Sequence, residues 1–156
     1  MIPIHPLQAI DIEGCARIMA ENALWQRYGV TLESARQRLA TGLAQGAAIL
    51  AAGQPGAPLG FIWYVEKGAF ARSGYIMLIG VDPNQQGQGI GDVLMDEAER
   101  LLAQTVKEVF LLVSDFNAGA QRFYQRRGYV QSGALPGYVL PDVAELIYRK
   151  KLVEGK

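Results

Sequence analysis

Reactive side chains are scarce in this sequence, which has one cysteine and one histidine among its 156 residues. A lone Cys15 can form no internal disulfide, which agrees with a reducing compartment, so we expect a cytoplasmic protein. A catalytic thiol would also need a histidine beside it, and His5 is the only one in the sequence. Because Cys15 stands at helical spacing with Ile12 and Met19, we predict that it is a core residue.

An excess of one charge and a long apolar run are missing as well. The chain carries 15 Lys and Arg residues against 15 Asp and Glu residues, so no net field attracts nucleic acid or an anionic membrane. No apolar run approaches the roughly 20 residues that span a bilayer, and the first residues lack a basic stretch followed by an apolar core. We therefore expect no nucleic-acid partner, no membrane association, no secretory signal and no bound metal.

The residues that are present have the composition of a folded protein, with 50% hydrophobic and 19% charged residues. At this length we predict one domain over residues 1–156. The only linker-like stretch, residues 54–58, contains two prolines and one glycine. It is too short to separate domains and is predicted to be a turn between two strands.

Hydrophobic spacing predicts a mixed α/β fold of order β-α-α-β-β-β-α-β-α-β-β. The first helix follows Asp11, and Thr31 is the predicted N-cap of the second. The predicted strands are 2–8, 47–52, 59–66, 75–81, 109–113, 129–132 and 145–152, and the later helices are 89–104 and 117–127. The apolar run 109–113 is typical of a strand buried on both faces. With the strand and helix before it, this run predicts a right-handed crossover between parallel strands of a mixed sheet with helices on both faces.

A glycine-rich loop lies between the strand 75–81 and the helix that follows it. Pro83 ends the strand, and Gly87, Gly89 and Gly91 alternate just before the helical pattern begins. Glycines can take positive φ and let the backbone approach a ligand closely. Successive N–H groups of such a turn and of a helix start form an anion cradle, which can hold a pyrophosphate without a basic side chain.

Two other phosphate-binding patterns do not fit this loop. The dinucleotide fingerprint G-x-G-x-x-G fails because the spacing here is G-x-G-x-G, and it should stand near the start of a domain. The nucleotide loop that ends in Gly-Lys-Ser/Thr fails because Asp92 follows Gly91. A glycine turn without any ligand remains open for this segment taken alone.

A second segment begins at Asn117, which directly follows the buried strand and is a predicted helix N-cap. Its amide could instead, or as well, bond a ligand lying between the strands. Phe123 and Tyr124 face the sheet in the predicted helix, and Gly128 is a natural left-handed residue after its end. Taken alone, the segment favours a capped amphipathic helix that has an aromatic core face, and a ligand contact of Asn117 stays open.

Together the two segments resemble a known family. Gln86, Gly89 and Gly91 match the Gln/Arg-x-x-Gly-x-Gly/Ala signature of the GNAT superfamily of N-acetyltransferases. Residues 117–129 resemble its Asn-x-x-Ala-x-x-Phe-Tyr-x-x-x-Gly-Phe/Tyr segment at every stated position. The resemblance covers about a third of the chain, residues 75–129. It implies a mostly antiparallel sheet of about seven strands with one parallel crossover.

The resemblance also implies acetyl-CoA as the cosubstrate and an amine of a small molecule or peptide as the acceptor. The loop residues implied to hold the coenzyme pyrophosphate are Gln86, Gly87, Gln88, Gly89, Ile90 and Gly91. Backbone groups of Ile79 and Val81 would pair with the pantetheine arm, which Asn117 would also contact. Tyr124 would lie by the thioester sulfur and protonate the departing thiolate. The alternatives are a non-enzymatic acyl-CoA-binding module and a phosphate-binding protein of another class.

The general base and the acceptor site are less defined. Many relatives carry a glutamate on the strand before the glycine loop, but residues 75–81 contain none. Glu66 and Asp115 are the candidate bases, and a water relay or deprotonation in bulk solvent stays open. Trp25 and Tyr28 form a candidate acceptor wall or pack between helices. Residues 137–142, in the last hairpin, could close the acceptor site or form a homodimer contact.

Overall fold

The structure, a computed structural model, describes residues 1–153. The strands are β1 Ile4–Pro6, β2 Ala48–Gln54, β3 Ala57–Ala69, β4 Ser73–Val81, β5 Glu108–Ser114, β6 Val130–Pro136 and β7 Ala144–Lys151. The helices are α1 Ile12–Ala20, α2 Ala23–Arg27, α3 Leu32–Ala44, α4 Ile90–Leu102 and α5 Ala118–Arg126. The predicted order is confirmed, with the five-residue α2 as an addition.

The seven strands form one sheet in the order β1-β2-β3-β4-β5-β7-β6. The strand pairs with a described register are antiparallel, except that β4 and β5 run parallel. The parallel ladder joins Gly74 to Val109 at one end and Ile76 to Leu111 at the other. The predicted fold class, a mostly antiparallel sheet with one parallel crossover, is confirmed.

The chain forms two compact units, and α4 runs from the first into the second. The first comprises residues 1–64 and 78–98, and the second comprises residues 65–77 and those from 99 onward. The prediction of a single domain stays a prediction.

In the first unit, α1 and α3 pack on each other, and β2 and β3 form a hairpin. The predicted turn is confirmed: β2 ends at Gln54, β3 begins at Ala57, and Gly56 between them has φ +84°. The buried Asp11 carboxylate accepts the Gly56 N–H at 2.8 Å. It also accepts the Gln8 N–H and lies 2.9 Å from the His5 ring. One carboxylate therefore joins the N-terminal segment to the hairpin.

Cys15 lies in the core of this unit and is fully buried. Burial raises the pKa of its thiol to about 12, and the nearby Asp11 carboxylate adds to the effect. The thiolate is therefore disfavoured at neutral pH, and the prediction of a core residue is confirmed.

In the second unit, β7 lies between β5 and β6, and alternate residues point to opposite faces of the sheet. Lys150, opposite Val109, bonds Glu99 of α4, and Tyr148, opposite Leu111, accepts a hydrogen bond from Gln125 of α5. These contacts identify the face that α4 and α5 cover. Phe110, Leu112 and Ser114 alternate with these β5 residues and therefore belong to the opposite face.

The turn between β3 and β4 has an unusual backbone. Phe70 and Ala71 have φ +59° and +55°, a region that costs non-glycine residues roughly 1–2 kcal/mol each. The Phe70 ring meets Phe110 edge to face, with 5.4 Å between the ring centroids. The predicted strands 59–66 and 75–81 are shorter than β3 and β4. The exposed residues 65–68 lack the alternating apolar pattern that would have extended the prediction.

Candidate active site

The glycine loop belongs to the first unit and is open to solvent. Gly87 and Gly89 both have φ +79°, and a Cβ added at either would meet nothing within 4 Å. Gly91 lies in the first turn of α4 instead, so two of the three alternating glycines use the left-handed region. The constraint at Gly87 and Gly89 is therefore the backbone conformation, and the space beside them is free for an incoming group.

Polar contacts hold this loop against the end of β4. The Asp82 N–H donates to the Leu59 carbonyl at 2.8 Å, and the Asp82 carboxylate accepts the Asn84 N–H at 2.9 Å. The Gln86 side chain donates to the Val81 carbonyl at 3.3 Å, which gives it a structural part in the loop.

The loop leads directly into α4, whose bond from the Val93 N–H to the Gly89 carbonyl is 3.1 Å long. The N–H groups of the first turn before Val93 have no carbonyl within the helix to bond. A left-handed glycine turn followed by such donors has the chemistry of an anion site.

The end of β4 contains a glycine, Gly80, at a position where a side chain would collide with neighbouring rings. Ile79 and Val81 are half-buried, whereas Gly80 between them lies on the buried face. A Cβ at Gly80 would lie 2.9 Å from the Trp25 ring and 3.0 Å from the Phe61 ring. Glycine at this position therefore lets Trp25 approach the strand, where it stacks on Phe61 with 6.1 Å between centroids.

Trp25 is carried by α2, and the short helix is well fixed. The Asn22 side chain caps it by accepting the Leu24 N–H at 2.8 Å. The Trp25 carbonyl accepts the N–H groups of Tyr28 and Val30, each at 3.0 Å. Both predicted acceptor-wall residues, Trp25 and Tyr28, are half-buried. The structure brings Trp25 beside the end of β4, so one of its faces packs on protein while part of the ring stays exposed.

The second motif belongs to the second unit, and its turn is tightly bonded. Asn117 is the N-cap of α5 and accepts the Ala120 N–H at 3.1 Å, as predicted. Its own N–H donates to the Ser114 carbonyl at 3.0 Å. The Gln121 side chain donates to the carbonyls of Ser114 and Asp115, each at 3.1 Å. The turn that leads from β5 into α5 is therefore fixed from both sides.

Tyr124 lies inside an aromatic cluster and is 7% exposed. Its ring meets Phe123 and Tyr129 edge to face, at 5.1 and 5.6 Å between centroids. Burial raises the pKa of the Tyr124 hydroxyl, which therefore stays protonated at neutral pH and can donate a proton or a hydrogen bond. The predicted helix end is confirmed, since Gly128 has φ +92°.

Comparison with known proteins identifies the family. The profile of the acetyltransferase (GNAT) family matches residues 14–129, well over half of the chain. The chain belongs to the GNAT acetyltransferase family. The matched residues include both the glycine loop and the segment that begins at Asn117.

The curated relatives that this chain matches include mycothiol acetyltransferases. The protein from Mycobacterium leprae is 33% identical over 96 residues, which is 58% of this chain and 31% of the relative. The one from Beutenbergia cavernae is 37% identical over 87 residues, 55% of this chain and 29% of the relative. The chain thus spans about a third of the length of the curated relatives it matches.

Solved structures of GNAT proteins share the fold. The ribosomal-protein-S18-alanine N-acetyltransferase from Escherichia coli aligns with TM-score 0.77 and 18% identity, over 100% of this chain and 97% of that one. The PaiA N-acetyltransferase from Thermoplasma acidophilum, solved in complex with coenzyme A, aligns with TM-score 0.76 and 20% identity, over 97% and 99%.

The two carboxylates predicted as bases in this GNAT protein have different surroundings. Glu66 is exposed on β3. Asp115 is exposed too, but its Oδ2 accepts the Ala144 N–H at 3.0 Å while its own N–H donates to the Ala144 carbonyl at 2.9 Å. One oxygen of Asp115 is therefore engaged in holding the start of β7.

A third carboxylate, Glu145, escaped the sequence prediction. It is only 6% exposed and lies on β7 opposite Ser114, the last residue of β5. No local pattern marks Glu145, because β7 carries three further charged residues and its burial does not alternate.

Two further findings concern residues 1–153. These residues contain no group of three His, Cys, Asp or Glu side chains that could hold a metal ion. Over the same range, no helix combines the length and the apolar character that a membrane crossing requires.

Proposed function

We propose that this protein is an N-acetyltransferase that transfers the acetyl group of acetyl-CoA to a primary amine of a small molecule or peptide. The observation that carries the proposal is the open loop in which Gly87 and Gly89, both at φ +79°, precede α4. Membership of the acetyltransferase family supports it. The names of similar proteins refer to a small molecule, mycothiol, for the curated relatives and to the alanine of a ribosomal protein for one solved structure.

The coenzyme pyrophosphate binds the loop of residues 86–91 through backbone N–H groups. Hydrogen bonds to a charged group contribute roughly 1.5–3 kcal/mol each, so a few of them suffice without a basic side chain. The pantetheine arm extends along backbone groups of Ile79 and Val81 as an added strand would. Asn117 contacts the same arm.

The reaction is attack by a neutral amine on the thioester carbonyl. An alkyl ammonium has a pKa near 10.4, so only about one molecule in 2,500 is neutral at pH 7, and a group that accepts the proton accelerates the reaction. A strand N–H near Val81 polarises the carbonyl. Tyr124 gives its proton to the leaving thiolate; burial raises the pKa of this phenol, so it is protonated at neutral pH but is a weaker acid than an exposed phenol.

The acceptor binds against Trp25 and Tyr28. The indole of Trp25 stays partly exposed while its fixed side rests on Phe61 and the Gly80 backbone. Glu66 and Asp115 are candidate bases for the incoming amine. The exposed side chains of Tyr138 and Val139, at 63% and 57%, are available to close the acceptor site or to contact a second copy of the chain.

The test is an assay of free thiol released from acetyl-CoA in the presence of a panel of amines. We expect release that depends on the amine and stays low without one. Binding of coenzyme A without release by any amine would favour a non-enzymatic binding module. Binding of nucleotides but not of coenzyme A would favour the other class of phosphate-binding protein.

A further inference from the structure

A carboxylate and two cations meet beside the aromatic cluster that contains Tyr124. The Glu99 carboxylate, on α4, lies 3.3 Å from the Arg127 guanidinium and 2.8 Å from the Lys150 ammonium. The side chains of Glu99 and Arg127 are only 12% and 10% exposed, so water and salt screen their charges weakly. One negative and two positive charges give the three side chains a net charge of +1.

Arg127 is fixed at the end of α5 from three sides. It is the C-cap residue of the helix, and its N–H donates to the Tyr124 carbonyl at 3.0 Å. Its guanidinium lies 6.0 Å from the centre of the Phe123 ring, whose face attracts a cation. The ion pair with Glu99 holds the far end of the side chain. The positive charge therefore has a defined place next to the aromatic cluster.

The Glu99 carboxylate connects this charge to the second buried phenol of the cluster. Its Oε2 atom accepts the Tyr129 hydroxyl at 2.8 Å and is also the atom that faces Arg127. The Tyr129 ring in turn meets the Tyr124 ring, with 5.6 Å between centroids. The Tyr129 hydroxyl is thus engaged with Glu99, and Tyr124 is the phenol that the proposed function uses as an acid.

The charge of Arg127 opposes the effect of burial on Tyr124. Burial raises the pKa of the Tyr124 phenol, because a phenolate would be poorly solvated there, and the Arg127 guanidinium lowers the pKa in part. The net result is a raised pKa, which by itself makes the phenol a weaker acid. A cation that favours the phenolate makes the phenol a better proton donor, and this is what an acid in an apolar cluster requires.

We propose that Arg127 is a positioning residue whose guanidinium, held in place by Glu99, stabilises the phenolate that Tyr124 becomes when it gives up its proton, an inference that rests on the proposed function. Arg127 acts through Tyr124 and is not assigned a contact with the substrate. A charge that is already in place needs no rearrangement during the reaction, and for this reason preorganised charges lower a barrier effectively.

Tyr124 carries a negative charge only during the transfer itself. The neutral amine forms the C–N bond at the thioester carbonyl, and the C–S bond breaks. The sulfur takes the proton of Tyr124, which leaves a phenolate near the Arg127 charge. The attacking nitrogen loses one proton, which restores the phenol through solvent. The net products are the amide and the free thiol, and Arg127 stays protonated throughout, as arginine does in proteins.

The experiment is a double-mutant cycle of Arg127→Met and Tyr124→Phe, with release of thiol from acetyl-CoA as the measured rate. Methionine keeps much of the length of the side chain, and Lys150 and Tyr129 remain as partners of Glu99. Arg127→Met should lower turnover by about threefold to thirtyfold when Tyr124 is present. In the Tyr124→Phe enzyme the same change should lower turnover by less than about twofold, because no phenolate forms.

Three matched changes separate the charge from the fold. Arg127→Lys keeps the charge and should stay closer to the wild-type rate than Arg127→Met does. Arg126→Met removes the neighbouring arginine, which is exposed in the last turn of the same helix, and should leave the rate unchanged in both backgrounds. A fluorinated tyrosine introduced at position 124 is a stronger acid than tyrosine and should recover most of the rate lost in Arg127→Met.

A structural role for Arg127 would give equal losses with and without the Tyr124 hydroxyl, because damaged packing does not depend on that atom. Equal losses, or a wild-type rate in Arg127→Met, would overturn the inference and leave the proposed function standing. If Arg127→Met does not fold, Arg127→Gln takes its place and must show the same unequal loss. A wild-type protein that releases no thiol with any amine would instead overturn the proposed function, before any variant is made.

Discussion

The glycine loop and the segment from β5 into α5 are built on opposite principles. The loop presents backbone: Gly87 and Gly89 have open space beside them and differ from ordinary turns only in their dihedral angles. The segment presents buried side chains, with Tyr124 packed between two aromatic rings and Asn117 capping a helix. The loop therefore depends chiefly on its backbone conformation, and the segment chiefly on its packed side chains.

This difference matches the two parts of the proposed function, coenzyme binding by the loop and proton transfer by the segment. Backbone donors recognise a phosphate group whatever the neighbouring side chains are, so the loop suits a common coenzyme. A hydroxyl that must transfer a proton needs a defined position and a controlled pKa, which only packing can supply. Backbone changes in the loop should therefore weaken coenzyme binding, whereas a change of the Tyr124 hydroxyl should lower turnover.

The largest effect is expected from Tyr124→Phe, which removes one oxygen and keeps the ring. Turnover should fall by about tenfold to a thousandfold, since a thiolate leaves moderately well without an acid. Coenzyme affinity should change little, and unfolding free energy should fall by no more than about 1–2 kcal/mol. Rate, coenzyme affinity and melting temperature are measured on the same preparation.

Tyr138→Phe is the control for this variant, because Tyr138 is 63% exposed and loses the same atom. It should match the wild type in coenzyme affinity and in melting temperature. A Tyr124→Phe enzyme with the wild-type rate and wild-type melting would remove the acid role and leave Tyr124 as a core residue. A large drop in melting temperature would mean that the lower turnover comes from damaged packing rather than from a missing acid.

A smaller effect, in binding, is expected from Gly89→Val. Coenzyme A should raise the unfolding free energy of the wild type by about 2.7 kcal/mol at a hundredfold excess over its Kd. The variant should lose most of that shift, because a β-branched residue disfavours φ +79° and screens the N–H groups. Differential scanning with and without coenzyme A measures the shift directly.

Gly46→Val separates binding from strain in this test. Gly46 has φ +75° and open space beside it, as Gly89 has, but it lies after α3 rather than in the loop. Both variants should lower the melting temperature without ligand by similar amounts. Only Gly89→Val should lose the coenzyme-induced shift, and a full shift in that variant would contradict the loop assignment.

The sequence predicts most of the fold because its signals are local. Glycine spacing, Pro83 and the helical pattern after Gly89 lie within one stretch of chain, so the amino-acid sequence alone is enough to recognise the loop. The helix from Asn117 to Gly128 carries its own cap and its own stop, and both were predicted correctly. Five residues are too few for a helical period, which is why α2 was not predicted.

The features that the sequence did not predict depend on contacts between distant residues. The position of Glu145 opposite Ser114 follows from the register of β5 and β7. The bond between Asp115 and Ala144 joins residues 29 positions apart in the chain. The space that Gly80 leaves for Trp25 likewise joins a strand to a helix far away in sequence. No local pattern carries such information.

The smallest expected effect is a change of the unfolding free energy with pH, and it again differs between the two regions. Burial raises the pKa of Tyr124 and of Tyr129, and the hydrogen bond to Glu99 at 2.8 Å raises that of Tyr129 further. A phenol whose pKa is higher in the folded state contributes its full stabilisation below its unfolded pKa, near 10. That contribution is lost as the pH rises from there through the folded pKa. The buried aromatic segment should therefore make the protein sensitive to alkali, whereas the loop has no titrating side chain to do so.

Denaturant unfolding between pH 8 and 11 measures this sensitivity. Each phenol should remove up to about 1.4 kcal/mol of unfolding free energy per pH unit above its unfolded pKa. Cys15, with its pKa raised to about 12, should add a similar slope that begins near pH 9. Tyr129→Phe should begin less stable, because it loses the bond to Glu99, yet its stability should decline less steeply above pH 10. A Tyr129→Phe protein that kept the wild-type slope would show that the phenol of Tyr129 ionises alike in the folded and unfolded chains.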